Sequence, residues 1–291
     1  IAQGYEGNAV KSSLLLKSAA KSGACAAKFQ MIYANEISTE DYKYHGLFRS
    51  LEMSDAIWMD LHQQSNELDI ELQLDIFGML SLTKSVELGI KTVKIHPTDV
   101  SNVSLLQALA DSPIERVLLG VGGARSSEIE TALSLLSGKQ IVLILGFQGY
   151  PTKTISNQIA RISLMSTKYC TSGMTSIGFA DHAEPDSGLA ELIGAMSIGA
   201  GATLIEKHYN VKVERYIAWH NLVPNTLGKL EKIIYNEINQ KRPVFLHFAN
   251  LDDFGHSVVI DAYCYKDGNF MVHTNQGQGG PDDGWYDFNK G

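Results

Sequence analysis

Seven apolar, β-branched runs of strand length recur along most of the chain, separated by helical patterns, and this alternation leaves few folds open. The runs are AAKFQMIY (26–33), IELQLDIF (70–77), TVKIHP (92–97), RVLLGVG (116–122), QIVLILGF (140–147), TSIGFADH (175–182) and ATLIEKHY (202–209). Between them lie patterns such as AVKSSLLLKSAAKSG (9–23), LTKSVELGI (82–90), SSEIETALSLLSG (126–138) and GLAELIGAMSIGA (188–200). Strands that are apolar throughout, alternating with helices, belong to a parallel sheet covered on both faces. Counting Ile1–Gln3 as the remainder of a first strand gives eight βα units, which predicts a (β/α)8 TIM barrel over 1–232. A doubly wound open sheet is the alternative. It would want an early glycine-rich phosphate loop, and GYEGN (4–8) matches one poorly.

After Lys232 the pattern changes. A short helical piece, KIIYNEINQ (232–240), precedes RPVFLHF, HSVVIDAYCY, NFMVHTN and GWYDF, joined by Asn-, Asp- and Gly-rich linkers. Strands without helices between them read as a small antiparallel meander over 233–291. At about 58 residues it is small for an independent core.

Charge and composition narrow the function. A formal net charge of −8 disfavours nucleic-acid binding, which needs basic stripes to displace counterions. No stretch of about 18 apolar residues suggests a membrane span. The chain starts at Ile1-Ala2-Gln3 without a signal-like segment and reads as a fragment. The three widely spaced cysteines, Cys25, Cys170 and Cys264, fit neither a disulfide framework nor a zinc knuckle, so a reducing, cytoplasmic setting is expected. Met53, Trp58, Met59 and Leu61 fit a helix face packed on the barrel.

In a barrel of this kind the chemistry sits at the C-terminal ends of the strands. There the sequence offers Lys28 and Gln30; Asp75; Lys94 followed by His96, Thr98 and Asp99; Gln148 and Tyr150; Asp181-His182; and Glu206-Lys207-His208. His182 and His208 end neighbouring strands, and neutral imidazoles suit a divalent transition metal, although structural histidines are the plainer alternative. Lys28 and Lys94 lie within apolar strands. Buried lysines are rare unless paired, which points to an anionic ligand, with a Schiff-base lysine or tips reaching the barrel rim as the other readings.

The ordered set AAKFQ, ANEIST, VKI, GYPT (149–152), GFADHA (178–183) and IEKHY (205–209) resembles the N-acetylneuraminate (sialic acid) synthase family over about 1–232. The resemblance implies a transferase that condenses phosphoenolpyruvate with an N-acetylated aldose such as N-acetylmannosamine, releasing phosphate, in a homodimer with small-molecule substrates. It implies manganese, or magnesium, held by His182 and His208; catalytic roles for Lys28, Lys94 and Asp75; and substrate contacts from Gln30, Thr98, Gln148, Tyr150 and Asp181. The sequence departs from the family pattern where Asp75 replaces a threonine, where Gly120-Val121-Gly122 replaces a Ser-Thr-Gly run, and where Ala180 replaces a serine. The family's catalytic glutamate would fall upstream of Ile1, so loss of activity is the alternative expectation.

The segment 234–291 resembles the C-terminal half of streptopain-like, papain-type cysteine peptidases, through GHSVVIDAY and HTNQGQGGPDDGWYDF. That resemblance implies His256 as base and Asn275 as its orienting partner. It leaves a cysteine peptidase or peptide-binding fragment, or a non-catalytic chain of two partial domains, as alternatives. Cys264 follows His256 by eight residues on the same predicted strand, a poor position for a nucleophile.

Overall fold

The computed structural model describes residues 1–147, 149, 151–183, 190–207, 226–239, 244–249, 255–275 and 284–288. The chain divides into two compact units, Ile1–Asn210 and Val211–Gly291.

The first unit is a parallel sheet of seven strands in sequence order: β1 (Ala26–Gln30), β2 (Glu71–Ile76), β3 (Thr92–Ile95), β4 (Arg116–Gly120), β5 (Gln140–Leu145), β6 (Thr175–Asp181) and β7 (Leu204–Lys207). Nine helices among the described residues accompany it: α1 (Ala9–Lys21), α2 (Ala34–Ile37), α3 (His45–Ser50), α4 (Asp55–Glu67), α5 (Met79–Glu87), α6 (Val103–Asp111), α7 (Ser126–Leu135), α8 (Ala160–Tyr169) and α9 (Ala190–Gly199). The truncated first strand expected at Ile1–Gln3 is a single parallel bridge, Ala2 to Phe29, with the Gln30 amide donating to the Ala2 carbonyl.

The sheet is curled as in a barrel. Neighbouring strands lie about 4.8 Å apart, so a flat sheet would separate β1 from β7 by roughly 29 Å. Yet Lys28 Nζ on β1 lies 3.3 Å from Glu206 Oε1 on β7. The two sheet faces differ accordingly. Residues pointing outward, including Phe29, Leu74, Val93, Leu119, Leu143 and Phe179, join the helices in one continuous apolar core. Leu118, Val142, Ile144 and Ala180 form a separate cluster, with Leu204 against it. Their positions alternate with the outward ones, which places them on the inner face.

Of the helix-face residues, Met53, Trp58 and Leu61 are buried as expected, and Trp58 meets Tyr5 and Phe29 edge-on at 6.0 and 6.2 Å. Met59 is exposed, because one turn of a helix cannot aim two adjacent side chains at the same face. Among the described residues no helix is long and apolar enough to cross a membrane.

The second unit carries α10 (Thr226–Asn239) and an antiparallel sheet in the order β11 (Gly284–Asp287), β10 (Asn269–Asn275), β9 (Gly255–Lys266), β8 (Val244–Ala249). Among the described residues its apolar cluster is Ile234, Ile260, Phe270 and Val272, with Ile238, Val244, Tyr263 and Phe288 against them. The register shifts between His273 and Thr274, leaving Asp261 without an opposite residue. Its carboxylate lies 2.7 Å from His273 Nδ1.

Candidate functional site

Toward the C-terminal ends of the strands, the inner face of β1, β2, β3 and β7 carries charge where β4 to β6 carry the hydrocarbon of Leu118, Val142, Ile144 and Ala180. In a parallel ladder, residues in register share a face. Gln30 is in register with Asp75, and Asp75 with Lys94, so the three share the inner face, as does Lys28 two positions before Gln30. Ala180 is in register with Glu206, which places Glu206 on the inner face of β7.

These side chains converge. Lys94 Nζ donates to both oxygens of Glu206, at 2.8 and 2.9 Å. Lys28 Nζ lies 3.3 Å from Glu206 Oε1 and 3.5 Å from Asp75 Oδ2, and Lys94 Nζ is 4.0 Å from the same Asp75 oxygen. All four side chains are largely buried, Asp75 most of all at 2% exposed. Asp75 Oδ1 is buried and has no hydrogen-bond partner among the described residues.

Burial and pairing compete in this cluster. Burial draws the Lys28 ammonium down, but Glu206 and Asp75 outweigh it and hold its pKa above the ordinary lysine value. Burial pushes the Glu206 carboxyl up, and Lys28 and Lys94 together overcome that, holding it well below the usual carboxylate range. Beside them, burial holds the His96 imidazole below its ordinary value, with Asp75 opposing and Lys94 reinforcing that effect.

The other predicted residues are placed less centrally. Thr98 is exposed just beyond β3, its hydroxyl 2.9 Å from His96 Nδ1 and 3.2 Å from Asp99 Oδ2. Asp181 is in register with Lys207 and shares strand parity with the outward-facing Phe179. Its Oδ1 accepts from the Ala183 amide at 2.9 Å, so it shapes the turn that carries His182. His182 Nδ1 lies 2.8 Å from the Phe147 carbonyl. A carbonyl only accepts, so Nδ1 carries a proton, and the neutral tautomer has its lone pair on Nε2, the arrangement found in metal-binding histidines. Gln148, Tyr150 and His208 lie outside the described residues. Among the described residues no three His, Cys, Asp or Glu side chains gather as a metal site.

Sequence reading assigned no role to Glu206, the residue that ties the lysines together. The signal was present: Leu204 and Glu206 alternate on one face of a four-residue strand. Its partners, however, depend on the curl of the sheet.

In the second unit, backbone register sets His256 opposite Phe248 and Asn275 opposite Val259. Cys264 lies eight positions from His256 along the unbroken strand β9, about 26 Å at the usual rise. It is the one cysteine of that unit, and it cannot serve a His256 base of the same unit.

Two family models match the chain, and their matches overlap at 186–221, across the boundary between the two units. Residues 186–286 match the Peptidase C10 family model, in keeping with the resemblance of the tail. The chain is 24% identical over 218 residues to the N,N'-diacetyllegionaminic acid synthase of Legionella pneumophila, covering 68% of this chain and 58% of that protein. It is 27% identical over 216 residues to the synthase of the same name from Campylobacter jejuni, covering 68% and 62%. The chain thus spans less than two thirds of these relatives. The crystal structure of the N-acetylneuraminic acid (sialic acid) synthetase of Leptospira borgpetersenii superposes with a TM-score of 0.65 at 28% identity, covering 72% of this chain and 71% of that one. Residues 15–221, well over half of the chain, match the NeuB family model, and the chain belongs to the NeuB family.

Proposed function

We infer that the barrel unit serves a phosphoenolpyruvate-dependent condensation with an N-acetylated aldose of the N-acetylmannosamine type, giving a sialic acid-type sugar acid and phosphate. The observation that carries this reading is the convergence of Lys28 and Lys94 on the inner face. Two ammonium groups held inside a barrel, at the strand ends where barrel enzymes bind ligands, suit an oxyanion that competes for them with Glu206 and Asp75. The kinship with legionaminic and sialic acid synthases supports the class of reaction.

In this reading Lys28 and Lys94 neutralise the phosphate or carboxylate of phosphoenolpyruvate, and Gln148 contributes an amide to the same ligand. The bond between carbon 3 of the enol and the aldehyde carbon forms as the aldehyde oxygen takes up a proton. Water then adds at carbon 2, and the bond from carbon 2 to the phosphate oxygen breaks. His182 and His208 would hold a divalent metal, manganese or magnesium, and its chemistry when bound is to polarise the aldehyde. The proton on His182 Nδ1 fits that role, because it leaves Nε2 as the donor atom. Asp181 and the Phe147 carbonyl orient His182.

The test is phosphate release from phosphoenolpyruvate with manganese, with and without a panel of N-acetylated hexoses. Release that requires a sugar and vanishes in His208→Ala is expected. No release with any sugar overturns the reading for this chain.

A second reading, peptide binding or cleavage by the C-terminal unit, is favoured by the Peptidase C10 match. It requires Cys264 to be labelled by a thiol-directed peptide inhibitor in a manner abolished by His256→Ala. The distance along β9 argues that no such dependence will be found.

A further inference from the structure

The lysine pair is already compensated by the chain's own carboxylates. Lys28 and Lys94 contribute two positive charges, Asp75 and Glu206 two negative ones, and the sum is zero. The two carboxylates are not equivalent. Glu206 is fully engaged, accepting two hydrogen bonds from Lys94 and lying within 3.3 Å of Lys28. Asp75 approaches the lysines with one oxygen only, at 3.5 and 4.0 Å, and its other oxygen is buried without a donor among the described residues. It is therefore the least satisfied charge of the four and also the most buried. An ionised carboxylate in that position acts on any ligand the lysines take, in surroundings where charges are poorly screened.

We propose that Asp75 is a specificity-determining residue that sets the charge of the ligand at Lys28 and Lys94, so that the pair takes a monoanionic carboxylate in preference to a dianionic oxyanion. This rests on the reading of the lysines as an oxyanion site. It deepens that reading by assigning the carboxylate end of a phosphorylated enol acid, rather than its phosphate, to the lysine pair. With Lys28 and Lys94 balanced by Glu206 and Asp75, a dianion gains no net attraction to set against its greater cost of burial. The repulsion between Asp75 and a ligand scales with the ligand's charge, so Asp75 penalises a dianion about twice as much in free energy as a monoanion. The other charged or titratable groups around the site, Glu206, His96 and the Ile1 ammonium, act on both ligands and do not discriminate between variants at position 75.

The experiment compares two probes, pyruvate as monoanion and inorganic sulfate as a dianion that does not titrate, by calorimetry on the full chain at constant ionic strength. The wild-type protein is expected to bind pyruvate more tightly than sulfate. In Asp75→Asn both should tighten, sulfate by about the square of the pyruvate factor, for example about tenfold against about threefold. Asp75→Thr should repeat the pattern with a smaller side chain, which covers the case in which the asparagine variant folds poorly. Asp75→Glu, which keeps the charge, should show no such divergence. Equal gains for both probes, no gain in either, or no binding of either probe to any form overturns the proposal. Failure here is separable from failure of the synthase reading. Equal gains alongside sugar-dependent phosphate release remove only the role of Asp75, whereas diverging gains without phosphate release leave Asp75 in place and remove the reaction.

Discussion

The inner face of the barrel sheet has two halves built on opposite principles. Along β4, β5 and β6 it is closed by volume: Leu118, Val142, Ile144 and Ala180 fill it, and Gly178 keeps it from overfilling. Along β1, β2, β3 and β7 it is held by charge, with four ionisable side chains where hydrocarbon would pack. An apolar half maintains itself by burial alone. A buried charge cluster stands several kcal/mol per ion above its solvated state unless every charge is matched. Such an expense is characteristic of a site rather than of a core.

The two halves should therefore break differently. The largest effect is expected in the charged half. Lys94→Met leaves two buried carboxylates facing one ammonium and should lower the unfolding free energy by about 3–5 kcal/mol in urea titrations, while the double change Lys94→Met/Glu206→Leu should recover most of that loss. An equally damaging double change would mean the cluster is not the self-contained unit its geometry suggests. In the apolar half, Leu118→Ala removes a side chain 1% exposed and should cost about 2–5 kcal/mol, with no rescue by a second truncation. Gly178→Ala tests the opposite error. A Cβ there would lie 2.5 Å from Ile144 Cδ1 and 3.0 Å from Val142 Cγ1, and about 1–3 kcal/mol of overpacking is expected, relieved by Ile144→Val.

The smallest effect is in pH dependence, and it belongs to the charged half alone. The folded state holds the Glu206 pKa below its ordinary 4.5. The unfolded chain therefore binds this proton first on acidification. The contribution is complete above about pH 4.5 and is lost as pH falls below it, with a slope of at most ~1.4 kcal/mol per pH unit for the single proton. Glu206→Gln should flatten that limb of the stability profile, whereas Leu118→Ala should shift it down without changing its slope.

Sequence pattern carried the strands well because buried parallel strands are apolar without interruption, a signal that needs no knowledge of the rest of the chain. Helix ends were less legible. The segment 82–90 extends past Gly89, whose left-handed φ of +73° marks where α5 has already stopped. Its start at Met79 is fixed from a distance, by the Glu36 carboxylate accepting from the Leu80 and Ser81 amides. No local pattern contains that cap. The site divides in the same way. Lys28, Asp75 and Lys94 stood out as charges in apolar strands. Glu206, one of three polar residues at the end of a short strand, gained its meaning only when curvature returned β7 to β1 and β3.

That return also fixes an order of events. The contact between Lys94 and Glu206 joins residues 112 positions apart. A chain emerging from the ribosome exposes Lys28, Asp75 and Lys94 long before their common partner has been made. Until β7 arrives, the first three strands hold two cations against a single carboxylate and cannot close over them without leaving charge unmatched. Contacts of such long range are slow to form. The charged half of the barrel is thus expected to be its last part to mature, and the cluster acts as a checkpoint that only a chain synthesised through Lys207 can pass.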